Sequence, residues 1–343
     1  MITIKEIANL AKVSAGTVDR VIHQRSGVSS KTAKRIRALL KEHNFKLNDV
    51  ASKLANRKKY KLATFLPSYD AQNLFWKMPN LGVLKAKEEV GFYGIQTELY
   101  TFDQFDAVSY LREFNAVMDS KPDAVVLVPI FKEETKQIIK RLDDEKIPYL
   151  FMNTDIDHCA NITFVGQDSF KSGILVGKLM HVSLGGIPEF LIVKERKNIN
   201  NHHAISKRIE GFLHYFKEGE IKISAHTLTF DSLKDKTFLK NELTRFFREN
   251  SNIKGMYVPS SQISLLSDSL DAELLDGLTL IGHDITKPNV KCLKEDKVTF
   301  LISQKSFEQG YDAVAIMSDF LLQKKTPDQK KYSPLEIITK ENL

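Results

Sequence analysis

The chain has 343 residues, with 42% apolar and 27% charged side chains, a globular balance that excludes a disordered or fibrous protein. That length suits two or three compact units. The formal charge of +7 is segregated: residues 1–61 carry 15 Lys and Arg against 4 acids, or +11, and the remainder carries −4. A small basic head of this kind suits a polyanion, and the mildly acidic body does not.

In the head, Thr3-Ile4-Lys5-Glu6 fits a capping box, and Ile4, Ile7, Ala8 and Ala11 fall on one helix face. Lys12-Val13 breaks the pattern. Ser14 can cap a second helix from Ala15 to about His23, with Val18, Val21 and Ile22 facing inward. Gly27-Val28 form a loop. Ser29 or Ser30 caps a third helix from Lys31 to about Asn44, with Ala33, Ile36, Leu39 and Leu40 inside. Three short helices with a tight turn between the first two have the geometry of a helix-turn-helix. The segment 48–56 is too short to hold a helix alone in water, and Arg57–Lys61 is a basic linker.

From Leu62 short apolar runs alternate with amphipathic stretches. Strands are predicted at 62–66, 95–101, 124–128 and 149–152, with helices at 75–90, 107–119 and 133–145. The pattern repeats with strands at 189–193, 221–229, 255–258, 278–281 and 298–302. Helices of this half fall at about 202–217, 236–250, from Ser260, and at 307–322. Such alternation predicts parallel sheets covered by helices, and two such sheets fit the length. Ligands of open parallel sheets sit beyond the carboxyl ends of the strands, so a cleft between two lobes is the expected site.

Enzyme signatures are weak. Leu66-Pro67-Ser68-Tyr69-Asp70 lacks the glycine-rich turn of a dinucleotide fold, and there is no P-loop or Ser/His/Asp constellation. Asp155-Ile156-Asp157-His158 and His202-His203 read as solvated loop residues rather than metal ligands. Cys159 and Cys292 cannot build a disulfide framework or a Cys-rich metal cluster. No apolar run approaches the roughly 20 residues of a membrane span, and Met1–Glu6 lacks the layout of a signal peptide. These features predict a cytoplasmic protein with no cofactor, no metal and no membrane partner.

Ile4-Lys5-Glu6-Ile7-Ala8, then Val13-Ser14, Thr17-Val18, Arg20-Val21-Ile22, Val28-Ser29 and Thr32, resemble in order and spacing the headpiece of the LacI/GalR family of bacterial transcription regulators. The likeness continues through Asn48, Ala51 and Leu54, the hinge helix of that family. It implies that the second helix enters the major groove, with Ala15, Gly16, Asp19, Arg20 and His23 at base-reading positions. Ala15 and Gly16 offer close approach or a methyl contact but no bidentate bond, so Arg20, suited to guanine, and His23 carry more of the reading. Asp19 accepts from cytosine N4 or pairs with Arg20 or Arg25. Ser14, Thr17, Ser29, Lys31, Thr32 and Arg35 fall at phosphate positions. Ala51 and Leu54 match the minor-groove hinge, where Leu54 wedges between base steps or packs on the headpiece.

The body resembles the type I periplasmic binding protein fold, nearest to ribose-type sugar sensors. The expected fold class is therefore α/β: an all-α helix-turn-helix headpiece (1–46), a hinge helix and linker (47–61), and a two-lobed body of two doubly wound parallel sheets (62–343). Lobe 1 is expected at about 62–158 and 305–329, lobe 2 at about 159–304 and 330–343. By the same resemblance Phe75 and Trp76 fall where sugar rings stack, with a core role as the alternative for Trp76. Asp284, in Gly282-His283-Asp284, and Gln304 are implied ligand residues. Asn153, Ser206 and Ser260 stand where ribose-type relatives have charged or amide groups, which predicts a cleft that has lost charge and takes a neutral sugar or polyol. The resemblance implies a homodimeric, ligand-responsive regulator, a repressor, on a palindromic DNA operator. The alternatives are an α/β enzyme with an accessory DNA module, or a DNA-binding protein whose cleft is vestigial.

Overall fold

The computed structural model describes residues 4–22, 26–42, 59–70, 73–195 and 203–343. The chain divides into two compact units, residues 1–57 and 58–343.

The first unit contains α1 (Ile4–Leu10), α2 (Ala15–Ile22) and α3 (Ser30–Glu42). Ile7, Ala8, Ala11, Val18, Val21 and Ile36 are buried together as its core, on the faces that the 3–4 spacing marks. The break at Lys12-Val13 is a Schellman closure of α1. The Val13 N–H donates to the Ala8 carbonyl at 3.0 Å and the Lys12 N–H to that of Asn9 at 3.1 Å. Lys12 takes the left-handed conformation this closure requires, with φ 51°.

The second unit opens with β1 (Tyr60–Pro67), α4 (Lys77–Gly91), β2 (Ile95–Phe102), α5 (Ala107–Asp119), β3 (Ala124–Leu127), α6 (Lys132–Asp144), β4 (Tyr149–Met152) and β5 (Phe164–Gly166). It continues with α7 (Ser169–Leu184), β6 (Glu189–Glu195), α8 (His203–Glu218), β7 (Ser224–Phe230), α9 (Lys236–Glu249), β8 (Gly255–Tyr257), α10 (Ile263–Ser267) and α11 (Ala272–Leu275). Then come β9 (Thr279–His283), α12 (Lys287–Lys294), β10 (Phe300–Ser303), α13 (Ser306–Gln323), β11 (Lys330–Tyr332) and β12 (Glu336–Ile338). One sheet has the order β11-β5-β4-β3-β1-β2 and the other β12-β10-β9-β8-β6-β7. All pairs are parallel except β10 with β12.

The central strands β1, β3, β4 and β6 are largely apolar because both of their faces are covered. Along β6, Leu191 and Val193 join one core cluster while Phe190 and Ile192 join the other, the period-2 alternation of a strand. Each lobe also has one helix pair in close backbone contact. A Cβ on Gly82 of α4 would strike the Phe307 carbonyl of α13, and one on Gly310 of α13 would strike that of Pro79. In the second lobe Gly173 of α7 faces the Arg208 carbonyl and Gly211 of α8 faces that of Phe170 in the same way.

The lobe boundaries differ from those expected. β5 and β11 pair with each other and extend the first sheet, so residues 159–166 and 330–332 belong to lobe 1. These strands have three residues each, too few to display a period, and the alternation rule could not place them.

Candidate functional site

In the first unit the start of each of two helices is built alike. The Thr17 N–H donates to Ser14 Oγ at 3.2 Å and the Thr32 N–H to Ser29 Oγ at 3.2 Å, and each serine hydroxyl also meets its threonine hydroxyl. These Ser-x-x-Thr caps hold the N-termini of α2 and α3, where backbone N–H groups favour an anion. Ala15, Gly16 and Arg20 are exposed on α2, and the Arg20 guanidinium lies over Gly27. Asp19 is within α2. Lys31 is exposed and Thr32 half-buried on α3. Arg35 is exposed, and its Nη2 donates to the Ala11 carbonyl at 2.6 Å, which ties α3 to the end of α1. His23, Ala51 and Leu54 lie outside the described residues.

In the second unit a cavity of about 410 Å³ lies at the carboxyl ends of both sheets. Phe75, Trp76, Asn153, Ser260, Asp284 and Gln304 line it. Asp284 follows β9 with φ 72°, and its N–H donates to the Ile302 carbonyl at 2.9 Å. Its carboxylate is 6% exposed and accepts from Gln304 Nε2 at 2.7 Å. Burial raises the Asp284 pKa to about 6, against the lowering effect of Arg208 and the Gln304 bond. Asn153, φ 66° after β4, donates through Nδ2 to Gln304 Oε1 at 3.3 Å and to Gln309 Oε1 at 3.2 Å. Gln309 Nε2 returns a bond to the Gln304 carbonyl at 2.7 Å. A chain of amides thus joins Asp284, which lobe 2 supplies, to Asn153 and α13 of lobe 1.

Two sequence expectations change here. Ser206 is exposed and is not among the residues that line the cavity. On α8 the inward face carries Ile205 and Arg208 instead, because Gly211 seats one turn later against α7. Arg208 is 4% exposed, donates through Nη1 to the Pro259 carbonyl at 3.0 Å and leaves Nε without a partner. The cleft has therefore not lost its charge. Arg208, Lys234, Glu195 and Asp284 all line it, a balanced set of two cations and two carboxyl groups. Glu195 ends β6, and its Oε1 accepts from the Leu233 N–H at 3.2 Å.

Trp76 takes the core alternative. Its ring is 2% exposed, Nε1 donates to Gln104 Oε1 at 2.9 Å, and Phe75 stands edge-on at 4.9 Å between centroids. Phe75 and Phe105, the latter exposed, present the accessible aromatic surface of the cavity. Beneath the polar wall His283 is fully buried with Nε2 3.0 Å from the Tyr257 hydroxyl. Burial, reinforced by Arg208, holds its pKa well below the ordinary imidazole value, so it stays neutral. Sequence reasoning missed Glu195, Arg208, Lys234, Gln104 and Phe105. Only Arg208 had a signal, the Arg208-x-x-Gly211-Phe212 pattern on α8.

No helix among the described residues is long and apolar enough to cross a membrane. Residues 63–325 match the family described as a periplasmic binding protein domain, and residues 3–48 match the bacterial regulatory proteins of the lacI family. The ribose operon repressor of Lactococcus lactis is 22% identical over the whole chain and 98% of its own length. The HTH-type transcriptional regulator MalR of Streptococcus pneumoniae is 26% identical over 208 residues, and the match spans 57% of this chain and 60% of that protein. Among solved structures, a candidate LacI transcriptional regulator from Bacteroides fragilis superposes with a TM-score of 0.73 at 27% identity, over 83% of this chain and 98% of the other. A glucose-galactose binding protein, GanP from Geobacillus stearothermophilus, shares the fold with a TM-score of 0.71 at 17% identity, over 84% of this chain and 99% of its own.

Proposed function

The chain belongs to the periplasmic binding protein domain family and carries a lacI-family domain ahead of it, and from that premise we propose a DNA-binding transcriptional repressor controlled by a small carbohydrate. The observation that carries this reading is the joining in one chain of a basic three-helix head and a two-lobed cleft with a polar wall. In it the repressor is a cytoplasmic homodimer on a palindromic operator, with one head per half-site. The exposed start of α2 enters the major groove, and Lys31 with the capped helix N-termini holds phosphates.

The effector is a neutral sugar or polyol. The balanced charges of the cleft support this: Arg208 and Lys234 offset Glu195 and Asp284, so no net field favours an ionic ligand, while every one of these groups can hydrogen-bond hydroxyls. Asp284, Gln304, Asn153, Ser260 and Arg208 are the binding side chains. Effector binding brings the lobes together, and the movement reaches the head through the segment that joins the two units, a coupling of about 1–3 kcal/mol in systems of this kind.

The test is selection of duplexes from a random pool by the full chain and by a chain beginning at Lys59. The full chain recovers a palindromic site whose affinity changes with a sugar or polyol, and the shorter chain recovers none. Equal binding by the shorter chain would overturn the assignment of the head.

A further inference from the structure

We propose that the effector is a two-ring glycoside rather than a single sugar, with one ring in the hinge half of the cleft and a second over Phe105. This rests on the carbohydrate reading above and concerns the size of the ligand and its second binding position.

The shape of the cavity carries the proposal. Its lining in lobe 2 comes from the ends of five adjacent strands: Gln304 after β10, Asp284 after β9, Ser260 after β8, Glu195 at the end of β6, and Leu233 after β7. Four strand spacings are about 19 Å at roughly 4.8 Å each. In lobe 1 the lining runs from Asn153 after β4 to Phe75 after β1 and Phe105 after β2, three spacings or about 14 Å. The hinge end is fixed by the Asn153–Gln304 bond, so Phe105 and Leu233 mark the far end on their respective lobes. The volume agrees. A cavity of about 150 Å³ admits a benzene ring, and this one has about 410 Å³.

The chemistry changes along that length. The hinge end presents Asn153, Asp284, Gln304 and Arg208, which suits a ring dense in hydroxyls. The far end presents the exposed Phe105 ring with Gln104 from lobe 1, and Glu195, Leu233 and Lys234 after β6 and β7 from lobe 2. An aromatic plane and an aliphatic side chain suit the C–H faces of a second sugar ring, and polar groups beside them suit its hydroxyls. Gln104 uses its Oε1 on Trp76, so its amide N–H groups are the donors it can offer. A single ring held at the hinge end stops short of the exposed Phe105 ring, three strand spacings away.

Titration calorimetry of the full chain against glucose, galactose and ribose, and against maltose, cellobiose and lactose, tests this. At least one disaccharide is expected to bind about tenfold tighter than either component sugar. Phe105→Ala is expected to erase that difference while leaving the affinity for the single sugar unchanged. Phe105 is exposed, so its truncation leaves folding intact, which a thermal melt verifies. If a single sugar binds as tightly as every disaccharide and Phe105→Ala changes neither, the proposal is overturned while the carbohydrate reading stands. If no saccharide of either size binds, the carbohydrate reading itself falls and takes this proposal with it.

Discussion

Gln304 donates to the Asp284 carboxylate at 2.7 Å, and the same Gln304 accepts from Asn153 across the cleft at 3.3 Å. One amide thus reads both lobes at once. Its donor end stabilises the charged form of a carboxyl that burial, even against this bond, raises to a pKa of about 6.

That pKa sets a pH window. A sugar hydroxyl donates to ionised Asp284, so effector affinity is expected to be level above pH 6 and to fall about tenfold for each unit below it. Stability moves the opposite way. The folded carboxyl holds its proton more tightly than the unfolded one, so stability falls as pH rises from about 4 to 6 and is level above. Calorimetric titration between pH 5 and 8 checks the first statement. Asp284→Asn is expected to weaken binding at pH 7 and to flatten the profile; a profile unchanged in Asp284→Asn would remove Asp284 from the site.

Gln309 is fully buried, and its amide meets two cavity residues, Asn153 and Gln304. It fixes Asn153 and the Gln304 backbone together. Gln309→Met keeps the volume but removes both bonds, which should cost about 1–3 kcal/mol of stability. Effector affinity should drop several-fold, because both ligand-facing amides lose their support. Denaturant melts and calorimetry on the same preparation measure the two effects. An unchanged melt would mean that the bonds contribute nothing net.

The sequence made the architecture readable because its signals are local. Serine caps, 3–4 spacing and strand–helix alternation each lie within a few residues of the element they specify. The resemblance to sugar sensors singled out Asp284 and Gln304, and both line the cavity, after β9 and β10. Arg208 and Ser206 show the limit. They sit two positions apart on α8, and which one points inward depends on how Gly211 seats against Phe170, a contact between elements far apart in sequence. The amide chain is similarly non-local, joining positions 153, 284, 304 and 309. The lobe crossing failed for want of length, since β5 and β11 have three residues each.

Lys31 and Arg35 are both cations of α3, and the structure separates their roles. Arg35 braces the Ala11 carbonyl at the end of α1. Its replacement by Ala should lower head stability by about 1–2 kcal/mol and weaken DNA binding through folding. Lys31 is exposed, so Lys31→Ala should leave the melt unchanged and lower the slope of log affinity against log salt by about 1. Melts of the head and operator titrations from 50 to 200 mM salt, a range over which phosphate contacts dominate, compare the two variants. A reduced salt slope in Arg35→Ala with no loss of stability would reverse the assignment.

Gly16 tests the reading face itself. It sits in the first turn of α2 with ordinary helical φ, and a Cβ placed there would meet nothing nearer than Ser14 Oγ at 3.8 Å. Packing does not require glycine. Gly16→Ala should therefore stabilise the head by about 0.5–1 kcal/mol, since glycine costs that much within a helix. If α2 enters the groove by its N-terminus, the added methyl lies between backbone and base edges, and operator affinity should fall although the head is more stable. Loss of affinity with gain of stability separates a contact at the DNA surface from any effect on folding. If stability rises and affinity is unchanged, the start of α2 does not face the bases, and recognition must be sought further along the helix, at Arg20.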